Sequence, residues 1–123
     1  MTSAMTIFGI ALATLFSAIA QVESDNGLTS DNVYQLSDIY IKDVNRYYGG
    51  GKYATTDKFD RKKSEQIMLE YLALYGRRYY IKTGMKPTAE TLARIHNGGP
   101  DGWRKPATLG YWRKVQKAME ERE

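Results

Sequence analysis

A chain of 123 residues has room for one domain with its own hydrophobic core, and not for two. Hydrophobic residues make up 42% and charged residues 26%, the composition of a folded globular domain, so a disordered tail or a fibrous repeat is excluded. There is no cysteine and one histidine, His96, which removes disulfide scaffolds, thiolate zinc sites, cysteine nucleophiles and multi-histidine metal centres. Carboxylate, hydroxyl and backbone chemistry are left, and no cofactor is expected. Lys and Arg number 18 against 14 Asp and Glu, a formal net charge of +4, which favours an anionic partner such as nucleic acid, anionic lipid or cell wall. The basic runs Arg61-Lys62-Lys63, Arg77-Arg78 and Arg104-Lys105 are short and read as solvated helix faces. With no recognition motif beside them, no nucleic-acid partner is expected.

Met1 to Val22 carries no charged side chain. Two readings fit. The stretch Ile7 to Phe16 with Ala18-Ile19-Ala20 has the apolar run and the A-x-A pattern of a signal or anchor segment. Phe8, Leu12, Leu15, Ile19 and Val22 equally recur at spacings of three and four, the apolar stripe of a core helix that runs into Glu23. Ser24 to Asn32 is polar and contains Asn26-Gly27, a tight-turn signal, so it is a loop or a minimal hairpin. Leu36, Tyr40, Val44 and Tyr47 then repeat at helical spacing behind Ser37, an N-cap residue, and Gly49-Gly50-Gly51 ends that helix. Asp57 to Lys63 is the polar start of a long helix with Ile67, Met68, Leu72, Tyr75 and Tyr79 on its buried stripe. Pro87-Thr88 opens a short helix through Leu92 and Ile95, closed by Asn97-Gly98-Gly99-Pro100. A last helix begins near Pro106 to Thr108 and buries Leu109, Trp112, Val115 and Met119. The expectation is a mostly α single domain with at most one small, shortened β-hairpin.

Glu23 stands at the end of the apolar helix, directly before a polar segment that contains Asp25 and Asp31. Its neighbours one and two turns back are Ile19 and Phe16. Partial desolvation against such a face favours the neutral form of a carboxyl, the state from which a general acid works. Glycoside hydrolysis needs such an acid, usually with a second carboxylate kept ionised in a wetter setting. Asp25 and Asp31 both occupy a setting of that kind. The plainer reading of the same residues is a helix end followed by a solvated turn.

Longer strings sharpen the choice. Ala18-Ile19-Ala20-Gln21-Val22-Glu23-Ser24 resembles the A-x-x-x-[VI]-E-S segment of invertebrate-type lysozymes and their bacterial and phage relatives. Leu92 to Gly102, followed by Ala107 to Val115, is similar to the C-terminal signature of that family over some two dozen positions. Tyr34-Gln35-Leu36 resembles its [YF]-Q-I segment. Ile41 to Arg46 and Phe59 to Ser64, with Tyr71-Leu72 and Tyr75-Gly76, resemble its bacterial and phage members, and the absence of cysteine points the same way. The resemblance runs from about Ala18 to Met119.

It implies a lysozyme-like fold and hydrolysis of the β-1,4 bond between N-acetylmuramic acid and N-acetylglucosamine in peptidoglycan glycan strands, with action at the bacterial wall. Glu23 matches the family's general acid. The second carboxylate is Asp25 or Asp31: counting back from Gln35 favours Asp25, whereas Asp31 lies further along the loop. Only eleven residues separate Glu23 from Gln35, fewer than the family pattern, so the hairpin is trimmed. If neither aspartate reaches the site, a single-carboxylate lytic transglycosylase or a non-catalytic virion or wall-binding module results. Tyr34, Gln35, His96 and Asn97 are the candidate substrate contacts, with Tyr40 and Trp103 as further aromatic surfaces for sugar. The structural reading of His96 is that its ring ties down the Asn97 to Pro100 turn, and Tyr40 reads as core. Cleavage after Ala20 would remove the helix that holds Glu23, so an uncleaved helix is expected. Residues 1–22 would then act at most as a transient membrane anchor.

Overall fold

The computed structural model describes residues 5–122. It opens with an antiparallel hairpin, β1 (Thr6–Ile7) and β2 (Ile10–Ala11), with Thr6 opposite Ala11 and Ile7 opposite Ile10. The two turn residues, Phe8 and Gly9, both have positive φ, 52° and 79°, the backbone of the two-residue turn whose twist matches paired strands. Phe8 therefore sits in a turn and not on the stripe of a helix. The helix expected to fill the uncharged start begins at Leu12: α1 is Leu12–Ser24, and residues 6–11 before it form the hairpin.

Helix α1 has almost no polar face. Leu12, Leu15, Phe16, Ala18, Ile19 and Ala20 are all buried, because α4 and α5 pack against it. A helix that is apolar nearly all round is a core helix, and burying each of its large side chains stabilises the fold by about 1.5–3 kcal/mol. The anchor reading of residues 1–22 finds no support in the described residues. The apolar side chains of α1 are committed to the interior, Ala18 and Ala20 are fully buried, and no helix among the described residues is long and apolar enough to cross a membrane. Residues 1–4 lie outside the described residues.

The remaining helices start where local chemistry directs. In α2 (Asp38–Tyr47) the Ser37 side chain accepts from the Tyr40 backbone N–H at 3.1 Å, satisfying a donor that the first turn leaves unpaired. In α3 (Arg61–Thr83) Asp60 does the same for Lys63 at 3.0 Å, and Gly84, at φ 73°, closes the helix. In α4 (Ala89–Gly98) Thr88 and Thr91 cap each other reciprocally, and Gly99 ends it. A 3-10 turn at Thr55–Phe59 precedes α3. Two more, Gly102–Arg104 and Pro106–Thr108, lead into α5 (Leu109–Glu121). Ile67, Met68, Leu72 and Tyr75 of α3, Leu92 and Ile95 of α4 and Val115 of α5 are buried as their spacing predicts. Tyr47 is 50% exposed, and Ile41 takes the inward place on α2 in its stead. These side chains and those of α1 form one continuous core.

Candidate active site

Glu23 is the last residue but one of α1. Behind it on the helix, Ile19 and Phe16 are buried at 0% and 1% exposure, so the carboxylate leaves an apolar surface with only 19% of its side chain exposed. Residues from two other helices reach it, and two further groups stand behind the histidine. His96, in the last turn of α4, brings Nε2 to 3.4 Å from Glu23 Oε2. Tyr111, in the first turn of α5, donates a long hydrogen bond to the same oxygen at 3.5 Å. Tyr40 of α2 lies behind the histidine, its hydroxyl 3.0 Å from Nδ1, and the backbone carbonyl of Tyr34 lies 3.3 Å from Nε2. Burial, with the Glu23 charge second, pushes the Tyr111 phenol far above its ordinary range. Burial does the same to Tyr40, so both hydroxyls keep their protons across the physiological range.

The segment after α1 is a loop and contains no strand, so of the two readings of Ser24 to Asn32 the structure takes the loop. Ser24 holds it: the buried hydroxyl donates to the Val33 carbonyl at 2.7 Å and accepts from the Gly27 N–H at 2.9 Å. Asp25 is the left-handed cap of α1 at φ 51°, exposed, and its carboxylate accepts from the Gln21 side chain at 3.1 Å. Asp31 is exposed. Gln35, at φ 53°, is exposed and returns its amide to the Asn32 carbonyl at 2.8 Å. Asn97 is exposed at the end of α4.

Packing decides between the sequence readings of the aromatic residues and of His96. The Tyr34 ring cannot present a face to a sugar: it is 1% exposed, meets Phe16 edge to face at 6.1 Å, lies under the Arg61 guanidinium and donates its hydroxyl to Glu65. The His96 ring does not tie down the Asn97 to Pro100 turn. Its nitrogens face Tyr40, Tyr34 and Glu23, and with 2% of the side chain exposed the ring is enclosed behind the carboxylate. Tyr40 is a core residue, as the plainer reading had it, stacked on Tyr71 at 3.7 Å between ring centres, and it also reaches the site through His96. Trp103 packs edge to face on Tyr79 at 5.0 Å. It lines a hollow of about 210 Å³ with Tyr75, Arg78, Tyr79, Lys82, Pro100 and Asp101, a lining that does not include Glu23.

Tyr111 had no role in the sequence reading beyond its place in the Gly110-Tyr111-Trp112 string. Its position three residues into the last helix gives no hint of Glu23, 88 residues earlier. No group of three or more metal-ligating side chains occurs among the described residues.

A part-buried carboxylate at the end of the first helix of a small, mostly helical domain, backed by a histidine from the Asn-Gly-Gly-Pro helix, defines a lysozyme-like protein. Comparison with known proteins agrees. The chain is 30% identical over 118 residues to a lysozyme of Meretrix lusoria, covering 89% of this chain and 91% of that protein. Shorter stretches match more strongly: 52% over 42 residues of Lysozyme 1 of Crassostrea virginica and 54% over 41 residues of a lysozyme of Magallana gigas. Those two matches cover about a third of this chain and span only 23% and 30% of the two oyster proteins. No protein-family model matches the chain. The chain belongs to the invertebrate-type lysozyme family.

Proposed function

We propose that this protein is a peptidoglycan-cleaving glycoside hydrolase, a muramidase acting on the β-1,4 bond between N-acetylmuramic acid and N-acetylglucosamine, with Glu23 as general acid. One observation carries the proposal. The Glu23 carboxyl rises from the apolar end of α1 with 19% of its side chain open, and its Oε2 faces the His96 imidazole and the Tyr111 hydroxyl. An acid so placed is oriented, part-desolvated and still within reach of a glycosidic oxygen. The relatives' shared name, lysozyme, supports the same activity.

For the second carboxylate the packing favours Asp31. Asp25 is bonded to Gln21, and Gln21 and Glu23, two residues apart, point about 200° apart around a helix with 3.6 residues per turn. Asp31 sits on the loop itself, in the wet setting that an ionised nucleophile or stabiliser needs. Gln35 and Asn97, both exposed, are the amides proposed to contact sugar. The site of action in this reading is the bacterial cell wall, reached from the periplasm, by secretion or on a virion. The strandless stretch of eleven residues between Glu23 and Gln35 favours one alternative, a non-catalytic wall-binding module with the same fold.

The test is release of soluble fragments from purified peptidoglycan by the wild-type protein and by Glu23→Gln, Asp31→Asn and Asp25→Asn, with mass spectrometry of the products. The proposal expects reducing sugar ends from the wild type, none from Glu23→Gln, and a larger loss for Asp31→Asn than for Asp25→Asn. Anhydro-sugar ends would indicate a single-carboxylate transglycosylase. A folded wild type that binds wall and releases nothing is the non-catalytic module.

A further inference from the structure

We propose that Tyr40 and His96 are positioning residues for Glu23: the Tyr40 hydroxyl fixes His96 as a neutral imidazole with its hydrogen on Nε2, the edge that faces the carboxyl. This rests on the reading of Glu23 as general acid. The assignment follows from which partners can donate and which can only accept. Nε2 faces the Tyr34 carbonyl at 3.3 Å and Glu23 Oε2 at 3.4 Å. A carbonyl oxygen only accepts, so Nε2 carries a hydrogen. Nδ1 faces the Tyr40 hydroxyl at 3.0 Å, inside a core where the Tyr40 ring is sandwiched against Tyr71. Among the described residues Nδ1 is the hydrogen-bond partner of this buried hydroxyl, and an O–H that did not donate to it would be left without an acceptor in the core, so its hydrogen is given to Nδ1, and Nδ1 is left as an acceptor.

The groups facing the imidazole are Glu23 from α1, Tyr40 from α2, Tyr111 from α5 by way of the carboxylate, and the Tyr34 backbone from the loop. Tyr71 of α3 stands one ring further back. Glu23 is the one member of this set whose charge changes in the reaction. A charged imidazolium at 3.4 Å would hold the carboxylate ionised and defeat a general acid. A neutral N–H donor avoids this. It tolerates the protonated acid before transfer, and it stabilises the carboxylate once the proton has gone to the leaving oxygen. His96 thus sets the direction of the acid without setting its charge.

The chain has a single histidine, so imidazole nitrogen NMR of the whole protein reports on His96 without ambiguity. The expected spectrum is the neutral Nε2–H form at neutral pH, with the Nδ1 signal moved by Tyr40→Phe. An imidazolium at neutral pH, or a hydrogen on Nδ1, would overturn the assignment whether or not the protein cleaves peptidoglycan. Fragment release by the wild type tests the underlying acid reading separately, and its absence would sink that reading without touching the tautomer. In an active protein, His96→Leu removes the donor and should lower kcat about 10- to 100-fold, the loss of one hydrogen bond to a charged group, with KM unchanged. His96→Gln, whose amide can donate from nearly the same place but cannot titrate, should restore most of kcat and leave the shape of the pH profile as in wild type. Wild-type kcat in a folded His96→Leu, or an alkaline limb displaced in His96→Gln, would refute the positioning role.

Discussion

Replacing Gly102 by alanine tests how tightly the turn after α4 is pressed onto that helix. A Cβ at this position would stand 2.0 Å from the Arg94 carbonyl oxygen, 2.9 Å from its carbon and 3.2 Å from Ile95 Cα. All three atoms are backbone, so no side chain can swing away and the 3-10 turn must lift from α4. Lifting it strains the bonds that hold the turn: Gly102 N–H to Gly99 carbonyl at 2.8 Å, Thr108 hydroxyl to Gly102 carbonyl at 2.7 Å and Arg94 Nε to Thr108 Oγ1 at 2.8 Å. Overpacking costs about 1–3 kcal/mol and a weakened buried hydrogen bond about 1 kcal/mol more. The expected loss is about 3 kcal/mol, which in a chain of this size lowers Tm by about 10 °C. Gly110→Ala is the control. Gly110 lies in α5 with nothing within 4 Å of its Cβ direction, and alanine there should stabilise by up to about 1 kcal/mol through helix propensity. Thermal unfolding followed by far-ultraviolet circular dichroism reads both. If Gly102→Ala melts with the wild type, or both variants shift in the same direction, the account of this contact is wrong.

Ser24→Ala should destabilise by about 1–3 kcal/mol, because the buried Val33 carbonyl loses its donor and the Gly27 N–H its acceptor; a urea midpoint equal to that of the wild type would refute it. Stability should fall as pH rises above about 10. The phenols of Tyr34, Tyr40, Tyr71 and Tyr111 are held above their ordinary range chiefly by burial, and Tyr75 is pushed up to about 12 by burial and then by its bond to Asp43. Below the ordinary phenol value both states are protonated and nothing changes. Above it the unfolded chain loses protons that the folded chain retains, so unfolding is favoured progressively through the folded-state values. Urea midpoints measured from neutral to alkaline pH, with phenolate absorbance tracking the unfolding step, should show this decline, and a flat profile would contradict it.

Much of the helical layout was legible because caps and stops act over three or four residues. Ser37, Thr88 and the Gly99-Pro100 stop are local devices, and each sits where its side chain or missing side chain predicts. The opening hairpin was not legible. Phe8 at positive φ is an unusual residue for a tight turn, and an uninterrupted apolar run hides a turn that polar residues would have announced. The same limit applied to aromatic residues. Tyr34 and Tyr40 look alike as sugar platforms in sequence, yet burial turns Tyr34 into a prop tied to Glu65 and Tyr40 into a core residue whose hydroxyl meets the His96 ring.

By itself the sequence determined the helical class, the exclusion of thiol and multi-histidine metal chemistry, and the placing of Glu23 at the end of an apolar helix. These follow from composition and from periodicity within one segment. Only the tertiary structure decided what surrounds that carboxylate. His96, Tyr111, Tyr40 and the Tyr34 carbonyl come from α4, α5, α2 and a loop, and the contact between Tyr111 and Glu23 spans 88 residues. Contacts of that range are made by packing α4 and α5 onto α1, which depends on the joint burial of side chains from every helix and on no one segment's pattern.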